Sequence, residues 1–179
     1  MGINILWDQQ YSPGLSLPVS RLIAMLLERD TELVEYPVLI EGYDRERDQH
    51  DAQKILDRLQ NTVVRRYGIQ EPLLFVTARD LFVQNCDFVF GLARPSAGVA
   101  VVSAARLENG YYNRTQSDQD TIDRLAKEGA HEIGHLLGLG HCSDTECIMY
   151  RPATLDELDR KKKQFCPACR AALPVSSGQ

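Results

Sequence analysis

Along the first half of this chain, apolar and polar positions switch between a period of two and a helical period. Gly2–Trp7 alternates apolar with polar residues and predicts a strand. Leu17–Leu27 is denser, with Leu17, Val19, Leu22, Ile23, Met25, Leu26 and Leu27, and predicts a helix with most of its face buried. Leu33–Ile40 (LVEYPVLI) predicts a second strand, which Pro37 confines to a sheet edge or a bulge. Asp44–Arg66 is charged, with Ile55, Leu56, Leu59, Val63 and Val64 on one side, and predicts a helix. Leu73–Val76 predicts a short buried strand. Asp87–Leu92 and Gly98–Ala104 predict two more, separated by a turn at Arg94–Gly98. This alternation predicts an α/β (mixed α+β) fold: a twisted, mostly parallel sheet of about five strands under covering helices.

The second half changes character. Ser117, Asp118 and Asp120 open a long helix with cap and first-turn carboxylates. Ile122, Leu125, Ala126, Ala130, Ile133 and Leu137 sustain its period, and Gly138 ends it. Thr154–Glu157 forms a capping box that starts a short helix reaching about Gln164. Pro174–Gln179 reads as a frayed tail.

Composition narrows the class. With 179 residues, 44% hydrophobic and 25% charged, the chain is sized for one globular domain and is not disordered. The division we expect is a larger part, residues 1–141, and a small subdomain, residues 142–179, in one compact domain. A net charge of −5 argues against a nucleic-acid binder that relies on a basic surface. No apolar run reaches the ~18–20 residues of a membrane span. The stretch Met1–Asp8 lacks the basic and apolar regions of a secretory signal, and Leu6 stands where a myristoylation motif needs Ser or Thr. Five cysteines, four of them crowded near the C-terminus, fit metal binding in a reducing compartment better than a disulfide framework. The expectation is a cytoplasmic monomer.

The long helix carries His131-Glu132-Ile133-Gly134-His135-Leu136-Leu137-Gly138-Leu139-Gly140-His141. His131 and His135 are four apart, so both imidazoles project from one face and can reach one ion at ~2.0–2.1 Å. Gly138 turns the chain out of the helix and returns His141 as a third ligand. Three neutral histidines leave a fourth position open, as in catalytic rather than structural zinc sites. Glu132 sits beside the ion, placed to take a proton from an activated water and to deliver it to a leaving amine.

This stretch resembles the metzincin clan of zinc peptidases. Cys142 directly after His141, then Cys147, Met149 and Cys166-Pro167-Ala168-Cys169, make the chain similar to the archaemetzincin family. The resemblance rests on His131–Cys169 alone. It implies that Met149 forms an apolar base beneath the catalytic zinc. It also implies that Cys142, Cys147, Cys166 and Cys169 hold a second, structural zinc through four thiolates, two Zn2+ per chain in all. Such a site would pin the backbone that presents His141. Some metzincins carry a zinc-binding tyrosine two residues after the methionine; Arg151 occupies that place, so Tyr150 is not expected to be a ligand.

Other residues carry less. Arg160–Lys163 reads as a solvated basic helix end, or as a counterweight to the charge of a four-thiolate zinc. Cys86 is expected as a small buried hydrophobe, His50 as solvent-facing on a charged helix, and Tyr111 and Tyr112 as packing residues. Either Asp87–Leu92 or Gly98–Ala104 is the edge strand to which a substrate backbone would add. The function expected is zinc-dependent peptide-bond hydrolysis acting on a peptide or protein substrate. The alternative is a non-proteolytic zinc-binding scaffold of the same fold that binds peptides, or an adaptor built on the four-cysteine knuckle. Retention of Glu132 favours the enzyme, because a pure binder needs no base.

Overall fold

The computed structural model of the protein describes residues 2–175. In chain order, β1 (Ile3–Trp7) leads into α1 (Ser16–Leu27) and β2 (Thr31–Val34), followed by the short strands β3 (Tyr43–Asp44) and β4 (Gln49–Asp51). Helix α2 (Ala52–Arg58) passes through one wide π turn (Leu59–Val64) into α3 (Arg65–Tyr67). Next come β5 (Leu73–Thr77), β6 (Leu81–Phe82), β7 (Gly91–Arg94) and β8 (Val99–Ser103). The long helix α4 (Asp118–Leu136) and two short ones, α5 (Leu155–Arg160) and α6 (Pro167–Ala172), complete it.

Five strands form the main sheet in the order β2-β1-β5-β8-β7, parallel except for β7 against β8. The central strands β5 (LLFVT) and β8 (VAVVS) are buried along their whole length, as strands covered on both faces must be. Their side chains alternate between two cores. Leu74, Val76, Ala100 and Val102 meet Val19 and Ile23 of α1 and Leu125, Ala130 and Ile133 of α4. Leu73, Phe75, Val99 and Val101 meet Ile55, Leu56 and Leu59 of the α2 segment. Cys147, Ile148, Met149, Leu155, Leu158 and Phe165, all after His141, join the core of α1 and α4.

The mixed α/β fold, with its five-stranded and mostly parallel sheet, is thus the one expected. Several elements differ in extent, each for a physical reason. The strand expected over Leu33–Ile40 is Thr31–Val34: its pairing runs from Ile3↔Thr31 to Leu6↔Val34, and β1 ends one residue later. The helix expected over Asp44–Arg66 starts only at Ala52. Before it, Asp44 Oδ1 accepts the N–H groups of Glu46 (2.9 Å) and Arg47 (3.1 Å), which holds a hairpin instead, and Asp51 caps the helix through Gln53 N–H (2.9 Å). With β6, that hairpin makes a second, three-stranded sheet.

The strand expected at Asp87–Leu92 lies at Gly91–Arg94. The helix expected to reach Gln164 stops at Arg160, where Lys161 turns inward to an ion pair described below. Helix α6 was not among the expected elements; Pro167 opens it, and its cap is the Cys166 sulfur, which accepts Cys169 N–H at 3.5 Å. Of the tail expected at Pro174–Gln179, residues 176–179 lie outside the described residues; Pro174 accepts a hydrogen bond from Arg29. Among the described residues no helix is long and apolar enough to cross a membrane.

Candidate metal centre

Helix α4 begins as expected, with the Ser117 side chain accepting Asp120 N–H at 3.2 Å. Its C-terminal half is buried under β7 and β8, so His131 and Glu132 are nearly inaccessible from the helix side. Gly138 takes φ +95°, a left-handed conformation that glycine adopts without strain, and lets the chain turn back toward the helix. The turn brings His141 to the other two imidazoles: ring centroids lie 4.7 Å (His131–His135), 4.8 Å (His135–His141) and 5.4 Å (His131–His141) apart.

The imidazoles are already oriented for an ion. His131 Nδ1 faces Ile148 O at 2.8 Å, and His135 Nδ1 faces Leu139 O at 2.8 Å. An N–H at each Nδ1 donates to its carbonyl and leaves both Nε2 lone pairs outward. Those two Nε2 atoms are 3.1 Å apart. Ligands ~2.0–2.1 Å from one tetrahedral ion stand roughly 3.3–3.4 Å apart, so the pair converges on a point of the right size. Burial pushes the His131 pKa down to about 4, and burial beside His135 and Arg151 lowers that of His141. Both rings are therefore neutral at pH 7, the form in which an imidazole can bind a metal.

Glu132 lies beside this triad in the same cleft, which measures about 880 Å³. Burial, then the nearby Glu128 carboxylate, raise its pKa well above the ordinary range, against the pull of Lys161. Opposite it, Gly91 of β7 comes so close that a Cβ there would lie 2.7 Å from Glu132 Oε1 and 2.8 Å from Cγ. Beneath the helix, the buried Met149 fills the space left by Gly134, where a Cβ would lie 2.5 Å from Met149 Sδ.

The four cysteines converge separately. Cys142, Cys147, Cys166 and Cys169 place their sulfurs within 4.8 Å of one another, and no disulfide joins them. Cys142 Sγ and Cys166 Sγ are 3.8 Å apart, the spacing of two thiolates each ~2.3 Å from one tetrahedral ion. Backbone N–H groups of Asp144, Met149, Cys166 and Cys169 point at these sulfurs at 3.3–3.5 Å, an arrangement that would stabilise thiolates. The Cys169 N–H lowers the Cys166 pKa, whereas burial raises those of Cys147 and Cys169. Cys142 N–H donates to Met149 O at 2.9 Å, so this knuckle also fixes the chain that follows His141.

Several residues took unexpected places. Lys161 is not solvated: its Nζ meets Glu128 Oε1 at 2.7 Å, with both side chains almost fully buried. Lys162 and Lys163 stay outside, paired with Glu146 and Asp123. Beside that pair, Lys127 Nζ donates to Leu158 O (2.9 Å) and Lys161 O (3.0 Å), and Arg124 holds Asp159 through two bonds of 2.7 and 2.8 Å. Helix α4 thus clamps the segment after Met149. Sequence reasoning missed Glu128 and Gly91, for which no local signal existed.

Cys86 is half-buried in a loop of the cleft wall rather than packed in the core. His50 lies on β4, half-buried, with Arg79 at 3.2 Å. Tyr112 donates to Arg106 O, and Tyr111 packs against Tyr112. Of the two candidate edge strands, β8 is paired on both sides, which leaves β7 at the sheet edge along the cleft.

The model for peptidase family M54 matches residues 22–174. An archaemetzincin from Aeropyrum pernix is 39% identical over 153 residues, covering 83% of this chain and 76% of that protein. The crystal structure of a zinc-dependent peptidase from Methanocorpusculum labreanum superimposes with a TM-score of 0.91 at 44% identity, covering 97% of this chain and all of that one. That of an archaemetzincin from Methanopyrus kandleri gives 0.82 at 31% identity, covering 96% of this chain and 92% of that one.

Proposed function

This chain belongs to peptidase family M54, the archaemetzincins, and is a zinc metallopeptidase; on that footing we propose the residues that carry the reaction. His131, His135 and His141 hold the catalytic zinc, and Glu132 is the general base and acid. The observation that carries this reading is the pair of Nε2 atoms 3.1 Å apart, each ring locked through Nδ1 and both facing a cleft that Glu132 shares. When bound, zinc supplies Lewis acidity, which acidifies water and polarises a carbonyl.

The chain's own groups do the rest. Glu132 takes one proton from the attacking water as its oxygen bonds to the scissile carbonyl carbon. It returns that proton to the amine nitrogen as the C–N bond breaks. Burial excludes competing water from its carboxylate and Gly91 leaves room for it. The outer rim of β7 offers backbone groups to an extended peptide.

Cys142, Cys147, Cys166 and Cys169 hold a second, structural zinc, which the 3.8 Å sulfur spacing and the inward N–H groups support. Residues 1–141 then form the catalytic part and residues 142–179 a small zinc-bound subdomain that shares its core. Clustered free thiols favour a reducing, cytoplasmic setting, and the acidic net charge favours a peptide rather than a nucleic-acid partner. We take the protein to act as a monomer, away from membranes.

The test is a mass-spectrometric cleavage profile of a diverse peptide pool, with zinc-loaded Glu132→Ala as the blank. Cuts made only by the wild type establish the assignment. Identical profiles with the catalytic zinc bound would transfer the fold to a peptide-binding scaffold.

A further inference from the structure

One wall of the cleft carries a cation without a counter-ion. Arg151 lines the cleft together with Pro152 and Ala153. Its side chain is exposed, and among the described residues it enters no ion pair. The two carboxylates that line the same cleft are committed elsewhere: Glu128 is held by Lys161 at 2.7 Å, and Glu132 serves the reaction. In a chain with 25 acidic and 20 basic side chains, an arginine left unneutralised beside the active centre is not a consequence of overall charge.

Its backbone is held in place. Tyr150 N–H donates to Cys147 O at 3.0 Å, Met149 O accepts Cys142 N–H at 2.9 Å, and Pro152 is buried. The four-cysteine knuckle therefore sets where the Arg151 side chain begins. A guanidinium presents a rigid planar fork of donors that matches a carboxylate and keeps its charge at every working pH.

We infer that Arg151 forms a carboxylate-binding subsite that selects peptides presenting an acidic group close to the scissile bond. This rests on the peptidase reading above. The carboxylate has two possible sources, an Asp or Glu side chain of the substrate or the substrate's own C-terminus. The first makes an acid-directed endopeptidase, the second an enzyme that trims near a chain end.

The experiment uses zinc-loaded protein and short peptides in which Glu or Gln is scanned through each position. Each peptide is made with a free-acid and with an amide terminus. Cleavage is read as kcat/KM on wild type, and binding as Kd by fluorescence anisotropy on Glu132→Gln. Both are repeated with Arg151→Gln and Arg151→Lys added, with zinc content and Tm as folding checks. The expected result is a preference of about fivefold or more for one carboxylate-bearing series, as a charge-assisted pair at a half-open site gives. Arg151→Gln abolishes the preference, Arg151→Lys restores part of it, and salt weakens it.

A preference for Glu over Gln at fixed positions identifies the side-chain source; a preference for free acid over amide identifies the terminal one. A wild type that cuts all series equally, or an acid preference that survives Arg151→Gln, overturns the subsite and leaves the peptidase reading standing. Arg151-dependent binding of acidic peptides without any cleavage supports the subsite and counts against the peptidase reading. Neither binding nor cleavage of any peptide overturns both.

Discussion

Gly91 and Glu132 come from a sheet edge and a helix far apart in the chain, yet a methyl group on Gly91 would stand 2.7 Å from Glu132 Oε1. The same methyl would also lie 2.8 Å from Val101 O, so it cannot escape into the sheet. Gly91→Ala must therefore displace the carboxylate. A misplacement of about 1 Å costs roughly 100-fold in rate. We expect kcat/KM to fall by about that factor while zinc content stays unchanged. Full activity in Gly91→Ala would show that Glu132 works from more than one position.

Glu132→Gln keeps the shape of the side chain and removes the base. Peptide hydrolysis should drop by about 10²–10⁴-fold, with the catalytic zinc retained when zinc is counted per chain.

The same substitution has a pH signature in zinc-free protein. The folded-state pKa of Glu132 is raised well above that of an unfolded chain by burial and by Glu128. Its contribution to stability is thus full below a pH of about 4.5 and is lost as pH rises through the raised value. Apo Glu132→Gln should match apo wild type near the lower limit and exceed it in Tm at pH 8. A Tm gap that is independent of pH would contradict a carboxyl group whose pKa burial raises.

Lys161→Met leaves the Glu128 carboxyl group buried and without its partner. Breaking a buried pair on one side costs about 3–5 kcal/mol. Urea unfolding of the zinc-loaded protein should show a loss of that size, and Glu128→Gln added to Lys161→Met should recover most of it. An unchanged midpoint in the single variant would mean that water reaches Glu128.

Metal counting separates the two centres. His131→Ala is expected to lose one zinc, and Cys166→Ser the other. Because Cys142 follows His141 and is tied to Met149 O, Cys166→Ser should also weaken the catalytic site about 10–100-fold, as lost outer support does. The check is a zinc-chelator competition titration. Equal affinity in Cys166→Ser and wild type would show that the knuckle does not support His141.

Much of this site could be read in the linear chain because its geometry is local. Two histidines four apart share a helix face wherever they occur, and Gly138 allows the turn that returns His141. Two closely spaced cysteine pairs announce a group of four sulfurs, which the fold brings within 4.8 Å of one another. The strands β5 and β8 were equally legible, since burial on both faces demands unbroken apolar runs. Segments ruled by turn chemistry were less so: the Asp44 and Asp51 side chains bind backbone N–H groups and replace part of an apparent helix with a hairpin.

What remained hidden depends on contacts between distant segments. No local pattern at Gly91 announces that its missing side chain makes room for Glu132. The antiparallel edge position of β7 follows from how β8 fills the sheet. Lys161 sits in a run of basic residues that reads as solvated, and only the partner brought by α4 draws it inside. Period and spacing specify an element and its chemistry, because they act within a few residues. Which carboxylate is buried, which lysine meets it and which arginine is left alone at the cleft wall are settled by packing, because burial and charge pairing are properties of the assembled whole.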